Sequence, residues 1–378
     1  MARNSKHPDY ILIGTILILL TLGILILSGV SAALSQEKFG NTFFFLKHQL
    51  LFGLVPGLIL AFILFKIRLD FLKKWSPILL LINIVFVGLV FLPKIGSRFF
   101  GSSRWINLGI FSFQPTEILK LTFILYLATW LTSRAKKENF RRREIPNKFK
   151  KNFSQTFIAF LVIIGIISFL LIAQPDIGTL GVIFSISALM YFSANTLLWQ
   201  NFLIIFTALG GLILLIRTKP YRLYRLLVFL NPEFDPLGKG YQIKQALIAI
   251  GSGGIFGLGL GMSRQKFGFL PHSMSDAIFA IFAEETGFIG SLILIFLFLL
   301  FFWRGIKIVK NSSDMFSQLI AIGISSWIVV QAFTNIGSMI GVLPLTGIPL
   351  PFISYGGSHI ITELAAIGIL LNVSKNKS

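Results

Sequence analysis

The chain has 378 residues, of which 55% are hydrophobic and only 13% charged, with 40 Phe and a mean hydropathy of +0.83. Soluble domains carry roughly 25% charged residues, so a soluble enzyme, a disordered protein and a single anchor with a soluble head are excluded. What remains is an all-α polytopic membrane protein. The formal net charge of +20 is assigned to cytoplasmic loops and anionic lipid head groups rather than to nucleic acid. The absence of Cys rules out disulfides and thiol chemistry.

In chain order, apolar runs near 10–33, 47–65, 76–93, 116–132, 154–173, 177–192, 201–217, 277–302, 315–341 and 358–373 predict ten spans. Both termini then lie on one side. The first run exceeds the roughly 7–15 apolar residues of a cleaved signal, so it reads as a retained span. With the N-terminus inside, segments 1–9, 66–75, 133–153, 193–200, 303–314 and 374–378 hold 20 of the 34 Lys and Arg. The basic block 134–151 dominates them and places both termini in the cytoplasm. The chain reads as one domain, 1–378, with a basic cytoplasmic loop at 133–153 and a long extracellular segment, 218–276, between spans seven and eight. That outer segment is itself basic and suits an anionic, lipid-borne substrate, which makes Lys239, Arg264 and Lys266 candidate binding residues. Its Gly-rich run, 251–261, lacks the preceding strand and Gly-Lys-Ser/Thr ending of a nucleotide loop. Close helix packing or a re-entrant turn buried in protein is expected instead.

Ionisable residues at membrane depth are functional candidates. Glu117 and Lys120, at i and i+3 in the fourth span, can pair, either to fix helix packing or to floor a polar cavity open to the outside. Asp176, in Gln174-Pro175-Asp176, is placed to cap the sixth span. Asp276, at the start of the eighth, reads equally as a cap and as a general base. One of Glu284 and Glu285 is expected to face the cavity and the other a structural partner. Glu363 and His359, one turn apart, read as a polar pair within the last span. The turn before them, Gly347 to Ser358, carries Ser354 and Tyr355 and suits the mouth of a site. The four His (7, 48, 272 and 359) are scattered and form no zinc pattern.

These motifs resemble the SEDS family (shape, elongation, division and sporulation). The resemblance rests on Arg104-Trp105-Ile106, Gln114-Pro115-Thr116-Glu117 with Lys120, Gln174-Pro175-Asp176-Ile177-Gly178-Thr179, Asp235-Pro236-Leu237-Gly238-Lys239-Gly240-Tyr241-Gln242, Ala249 to Gly254, Ser263-Arg264-Gln265-Lys266 and Pro351-Phe352-Ile353-Ser354-Tyr355-Gly356-Gly357. It runs in order from the first span to the last and is closer to the FtsW/SpoVE branch than to RodA. It implies polymerisation of lipid II on the outer face of the cytoplasmic membrane. Asp276, Arg104 and Trp105 then match the family's essential residues, and Glu117 with Lys120 matches its buried pair. The family's His-Thr-Asp-Phe is replaced here by Met274-Ser275-Asp276-Ala277. The customary His is therefore missing, and the Phe-to-Ala change widens the expected site.

The mechanism expected is a single displacement. Asp276 takes the proton of the GlcNAc 4-hydroxyl, and undecaprenyl pyrophosphate leaves. Arg104, Lys120, Lys266 and a divalent cation (Mg²⁺ or Mn²⁺, with ligands unassigned) are candidates to stabilise the leaving charge; no organic cofactor is expected. Glu117, Lys239, Arg264, Ser354 and Tyr355 complete the expected substrate contacts, and Trp105 can stack on a sugar. Arg222 and Arg225 either grip a pyrophosphate or lie along head groups. Expected partners are lipid II, the nascent glycan strand, membrane lipids, a class B penicillin-binding transpeptidase and other division proteins, at a septal location. Two alternatives stand beside this reading: a lipid II flippase, and a non-catalytic scaffold for a transpeptidase.

Overall fold

The computed structural model describes the chain apart from residues 1–6, 94–95, 100–101, 108–111, 145–148, 195–197, 236–237, 239 and 376–378. Every one of the ten apolar runs lies on a helix. Asp9 caps α1 (Tyr10–Phe39) by accepting from Leu12 N at 3.0 Å, and the helix ends where Gly40 turns left-handed at φ 64°. α2 (Phe44–Gln49) passes through a π turn at Leu50–Leu54 into α3 (Val55–Lys66), and α4 (Leu69–Leu89) follows. The middle of the chain forms α5 (Pro115–Glu144), α6 (Phe149–Ala173), α7 (Ile177–Ser193) and α8 (Leu198–Thr218). After two short helices, α9 (Pro220–Leu230) and α10 (Tyr241–Ser252), the chain closes with α11 (Ile278–Asn311), α12 (Met315–Met339) and α13 (Gly357–Lys375).

Among the described residues, seven helical stretches are long and apolar enough to cross a membrane: Tyr10–Phe39, Phe44–Lys66, Leu69–Leu89, Trp199–Thr218, Ile278–Asn311, Met315–Met339 and Gly357–Lys375. Phe157–Ala173 and Ile177–Ser193 are apolar but shorter, and α5 carries Glu117 and Lys120 near its start. The protein is a multi-pass, all-helical membrane protein. Among the described residues, its one departure from that class is a small antiparallel sheet between α4 and α5, where the sequence shows only a loop. Strands β1 (Gly96–Phe99), β2 (Ser102–Asn107) and β3 (Ser112–Phe113) lie in that order, with Ser97 opposite Trp105 and Ile106 opposite Phe113.

α12 and α13 form the centre: 72% and 78% of their apolar windows are buried, against 11% for Trp199–Thr218, which presents its side chains outward as a lipid-facing helix does. Small residues let the central helices touch, since a Cβ on Gly368 of α13 would strike the Ala61 carbonyl of α3. At the opposite end from the sheet, Arg304 of α11 holds the buried Asp9 carboxylate through Nε, 3.1 Å from each oxygen, and through Nη2.

The Gly-rich run packs on α11, as its composition predicts. α11 is interrupted at Gly287 (φ 69°, ψ −165°), and the run supplies what the break leaves open. Leu258 N and Gly259 N donate to the Glu284 and Glu285 carbonyls at 3.0 and 3.1 Å, while Phe288 N and Ile289 N donate to the Gly254 and Ile255 carbonyls at 2.9 and 3.1 Å. Gly257 is required there, because a Cβ would enter the Glu285 carbonyl.

Candidate active site

The N-terminal ends of α5, α7, α11 and α13 converge on one cavity of about 910 Å³. Gln114 and Glu117 reach it from α5, Asp176 and Thr179 from α7, Ser275 and Asp276 from the approach to α11, and Gly356 and His359 from α13. Gln114 N donates to the Ser358 hydroxyl at 3.1 Å, which locks two of these helix starts together. The starts of these helices border one space, and their N-terminal dipoles favour an anion there.

Asp276 is half-buried on the cavity wall. It is not a cap: Ala277 holds the N-cap position of α11, with no side-chain hydrogen bond. Asp276 Oδ1 accepts from the Ser275 hydroxyl at 3.0 Å and Oδ2 from the Gln242 amide at 3.3 Å. Among the described residues no Lys or Arg pairs with it. Its backbone is pinned from two sides. Asn335 Nδ2 donates to the Asp276 carbonyl at 2.7 Å and to the Ile348 carbonyl at 2.8 Å, while the Ser354 hydroxyl donates to the Ser275 carbonyl at 2.5 Å. Ser354 is therefore a buried brace and does not line the cavity. Ala277 is likewise fully buried and does not line the cavity.

Asp176 does cap, accepting from Thr179 N at 3.4 Å, and it is also paired, with Oδ1 3.8 Å from Arg104 Nη1. Arg104 Nη2 donates to the Pro175 carbonyl at 2.5 Å, so the sheet is tied to the α6–α7 turn. Among the described residues, Arg104 Nε is buried without a hydrogen-bond partner. Trp105, the next residue on β2, lines the cavity beside it. Arg225 of α9 also lines the cavity, its Nη1 donating to the Leu345 carbonyl at 3.3 Å. Desolvation in the cleft and then the Arg104 guanidinium lower the Arg225 pKa, while Asp276 and Asp176 act in the other direction. The two arginines thus face one space. Arg222 does not: it turns inward to the Leu215 carbonyl at 2.8 Å and the Thr218 hydroxyl at 2.7 Å.

Glu117 and Lys120 divide the two roles predicted for them. Glu117 lines the cavity, whereas Lys120 lies beneath it, 1% exposed, with Nζ 3.0 Å from Glu117 Oε1 and 2.7 Å from Gln331 Oε1. Direct substrate contact by Lys120 is thereby corrected: it acts through Glu117. Gln331 extends the chain, donating to the Pro349 carbonyl at 3.0 Å and to Glu363 Oε1 at 3.4 Å, and Glu363 Oε2 accepts from Phe352 N at 2.9 Å. Glu363 therefore pairs with the 340–356 turn and not with His359. Gln331 and Asn335 were not singled out from sequence. Their signal was two amides at i and i+4 inside an apolar span.

Three further expectations are corrected. Neither Glu284 nor Glu285 faces the cavity. The Glu284 carboxylate accepts from Arg264 N at 3.1 Å and from the Ser263 hydroxyl, and Glu285 Oε1 lies 3.4 Å from Lys266 Nζ. Lys266 is buried in that pair and also bonds the Gly261 carbonyl. Arg264 sits on the same brace, and neither residue lines the cavity. Tyr355 does line it, with its hydroxyl 3.0 Å from His48 Nδ1, and desolvation pushes its phenol up to about 12. His272 stands on the rim. Lys239 and residues 145–148 of the basic block lie outside the described residues.

No three His, Asp or Glu side chains converge as a metal cage among the described residues. Among the described residues, Asp276 is the lining carboxylate with no salt bridge and would be the one to hold a cation.

The family model described as "Cell cycle protein", covering FtsW, RodA and SpoVE, matches residues 10–378. Stage V sporulation protein E of Bacillus subtilis is 40% identical over 376 residues, spanning 99% of each chain. A probable peptidoglycan glycosyltransferase FtsW of Coxiella burnetii is 39% identical over 373 residues, covering 98% of this chain and 96% of that one. A chain of a solved peptidoglycan synthase complex superimposes with a TM-score of 0.74 at 27% identity, over 97% of both chains. RodA of Thermus thermophilus does so with a TM-score of 0.68 at 25% identity, over 98% of this chain and 97% of that one. Fold, motifs and full-length similarity agree, and the chain belongs to the FtsW/RodA/SpoVE family of cell cycle proteins.

Proposed function

We propose that this protein is a peptidoglycan glycosyltransferase that polymerises lipid II at the outer face of the bacterial cytoplasmic membrane. The observation that carries the reading is Asp276: a braced carboxylate with neutral partners, in a cavity whose walls are otherwise arranged for an anion. The names of the FtsW relatives and the peptidoglycan synthase neighbour support the activity. The convergence of four helix starts supports the ten-span arrangement, with the cavity outside and both termini in the cytoplasm.

In this mechanism Asp276 takes the proton from the 4-hydroxyl of an acceptor GlcNAc. That oxygen forms a bond to the anomeric carbon of the terminal MurNAc, while the bond from that carbon to the lipid pyrophosphate breaks. The configuration inverts from α to β, and the electron pair leaves on the pyrophosphate. Arg104 and Arg225 hold that charge, aided by the helix N-termini. A pyrophosphate is a good leaving group, so the protonated carboxyl that a glycosidase supplies is not needed. A bound Mg²⁺ or Mn²⁺ would be held by Asp276 and would supply charge neutralisation for the leaving pyrophosphate. Glu117, positioned by Lys120, and Tyr355 contact the sugars, with Trp105 stacking on one ring.

A class B penicillin-binding transpeptidase is the expected partner, by analogy with the synthase complex that couples polymerization to crosslinking. Similarity to the FtsW and sporulation relatives supports a septal role. The test is polymerisation of purified lipid II by wild type and Asp276→Ala, with transpeptidase and Mn²⁺ or Mg²⁺ supplied. Glycan from wild type alone is expected. Equal polymer from both removes Asp276 from catalysis, and lipid II crossing liposomes without polymer favours a flippase.

A further inference from the structure

Asp276 stands outside the regular hydrogen bonding of α11, which begins where the Ala277 carbonyl accepts from Ala280 N at 3.0 Å. The three carbonyls leading up to that point are all held from elsewhere in the chain. Met274 accepts from Tyr355 N at 2.8 Å, Ser275 from the Ser354 hydroxyl at 2.5 Å and Asp276 from Asn335 Nδ2 at 2.7 Å. The peptide groups on both sides of the Asp276 Cα are therefore fixed, and the carboxylate keeps only its side-chain rotations. The Ser275 hydroxyl and the Gln242 amide restrict those.

Asn335 differs from the other two clamps because it ties Asp276 to a second wall. It is fully buried on the central helix α12, and Nδ2 spends its other proton on the carbonyl of Ile348, a cavity-lining residue, at 2.8 Å. The amide has one workable orientation, since an oxygen in place of Nδ2 would face two carbonyls. Among the described residues its Oδ1 is left buried without a hydrogen-bond partner, a cost that an apolar side chain of similar size would avoid. What the amide offers instead is two donors on one atom. Asn335 itself does not line the cavity. We propose that Asn335 is a positioning residue for the general base: it fixes Asp276 against the 347–349 turn and so acts on the chemical step rather than on substrate binding. This rests on the lipid II reading above and gives a role to a residue which that mechanism does not use.

The experiment compares full-length wild type, Asn335→Leu, Asn335→Asp and Asp276→Asn in nanodiscs, with the transpeptidase and Mn²⁺ or Mg²⁺ supplied. Polymerisation of lipid II and equilibrium binding of fluorescent lipid II are both measured. Rates are expressed per lipid II-binding site, so unfolded molecules do not count. Asn335→Leu loses both donors and should lower kcat about 100-fold, the scale of a small misplacement of a reacting group. Its KM and its binding of lipid II should stay within about threefold of wild type. Asn335→Asp keeps the shape and can offer at most one donor, so its kcat should fall less, by about tenfold. Unchanged kcat per site in both variants overturns the proposal. A rise in KM as large as the fall in kcat also overturns it, because the amide would then shape the binding surface. So does failure of both variants to bind lipid II, which would make Asn335 a requirement of the fold. Wild type that makes glycan, an inactive Asp276→Asn and unchanged Asn335 variants remove this assignment alone. Wild type without glycan, or Asp276→Asn as active as wild type, removes the reading of Asp276 as polymerase base and this assignment with it.

Discussion

Asp176 and Asp276 look alike in the sequence: each directly precedes an apolar helix, each follows a turn containing proline, and each line the same cavity. The structure gives them opposite chemistry. Asp176 caps α7, accepts from the Thr179 hydroxyl at 2.9 Å and pairs with Arg104, so its carboxylate is saturated. Asp276 caps nothing, and among the described residues its side-chain partners are the neutral Ser275 and Gln242. The difference lies in their neighbours. β2 delivers an arginine to the α7 start, whereas α10 delivers a glutamine to the α11 start. An aspartate beside a guanidinium is a fixture, and one beside an amide keeps a lone pair for a proton.

That comparison breaks most sharply if both residues are made isosteric amides. Asp276→Asn should reduce glycan formation by about 10³-fold, in the range of lost general-base catalysis, with the melting temperature nearly unchanged. Asp176→Asn should reverse the balance. Activity falls about tenfold as Arg104 loosens, and unfolding becomes easier by about 1–3 kcal/mol through the lost charge-assisted bonds. Equal activity losses in steady-state assays would mean that the two aspartates are not functionally distinct.

Lys266→Met sharpens the contrast from outside the cavity. It leaves Glu285 buried without its cation and should destabilise the protein by about 3 kcal/mol. Activity per folded molecule should be retained, as read by chemical denaturation together with initial rates. A selective rise in KM would return Lys266 to the substrate site. The smallest effect concerns Tyr355, whose phenol is held protonated up to about pH 12 by desolvation. Because its folded pKa lies above the unfolded value of about 10, the folded state binds more protons between those values. Stability from this group is present below pH 10 and is lost as pH rises towards 12. Tyr355→Phe should flatten that decline, as followed by melting across the interval.

Hydropathy and charge made the membrane class, the ten helical runs and the cavity-side loops legible, because lipid imposes helix length and apolarity residue by residue. The motif strings pointed to Asp276, Arg104, Trp105, Glu117 and Tyr355, all of which line the cavity. Lys266 and Ser354 depart from expectation for one shared reason. A buried cation or hydroxyl looks the same in sequence whether it faces a ligand or braces a loop, and Glu285 and the Ser275 carbonyl decided the matter. Gln331 and Asn335 escaped notice because an amide in a span draws less attention than a charge, although they fix the turn and the backbone that aim Glu117 and Asp276.

The sequence by itself determined that the chain lives in lipid, which segments are helical and which residue types stand at the helix starts, since these follow from local composition and period. The tertiary structure alone decided which aspartate keeps an open carboxylate and which arginine turns inward. Pairing depends on side chains brought within about 4 Å from positions tens to hundreds of residues apart, and no local pattern records that proximity.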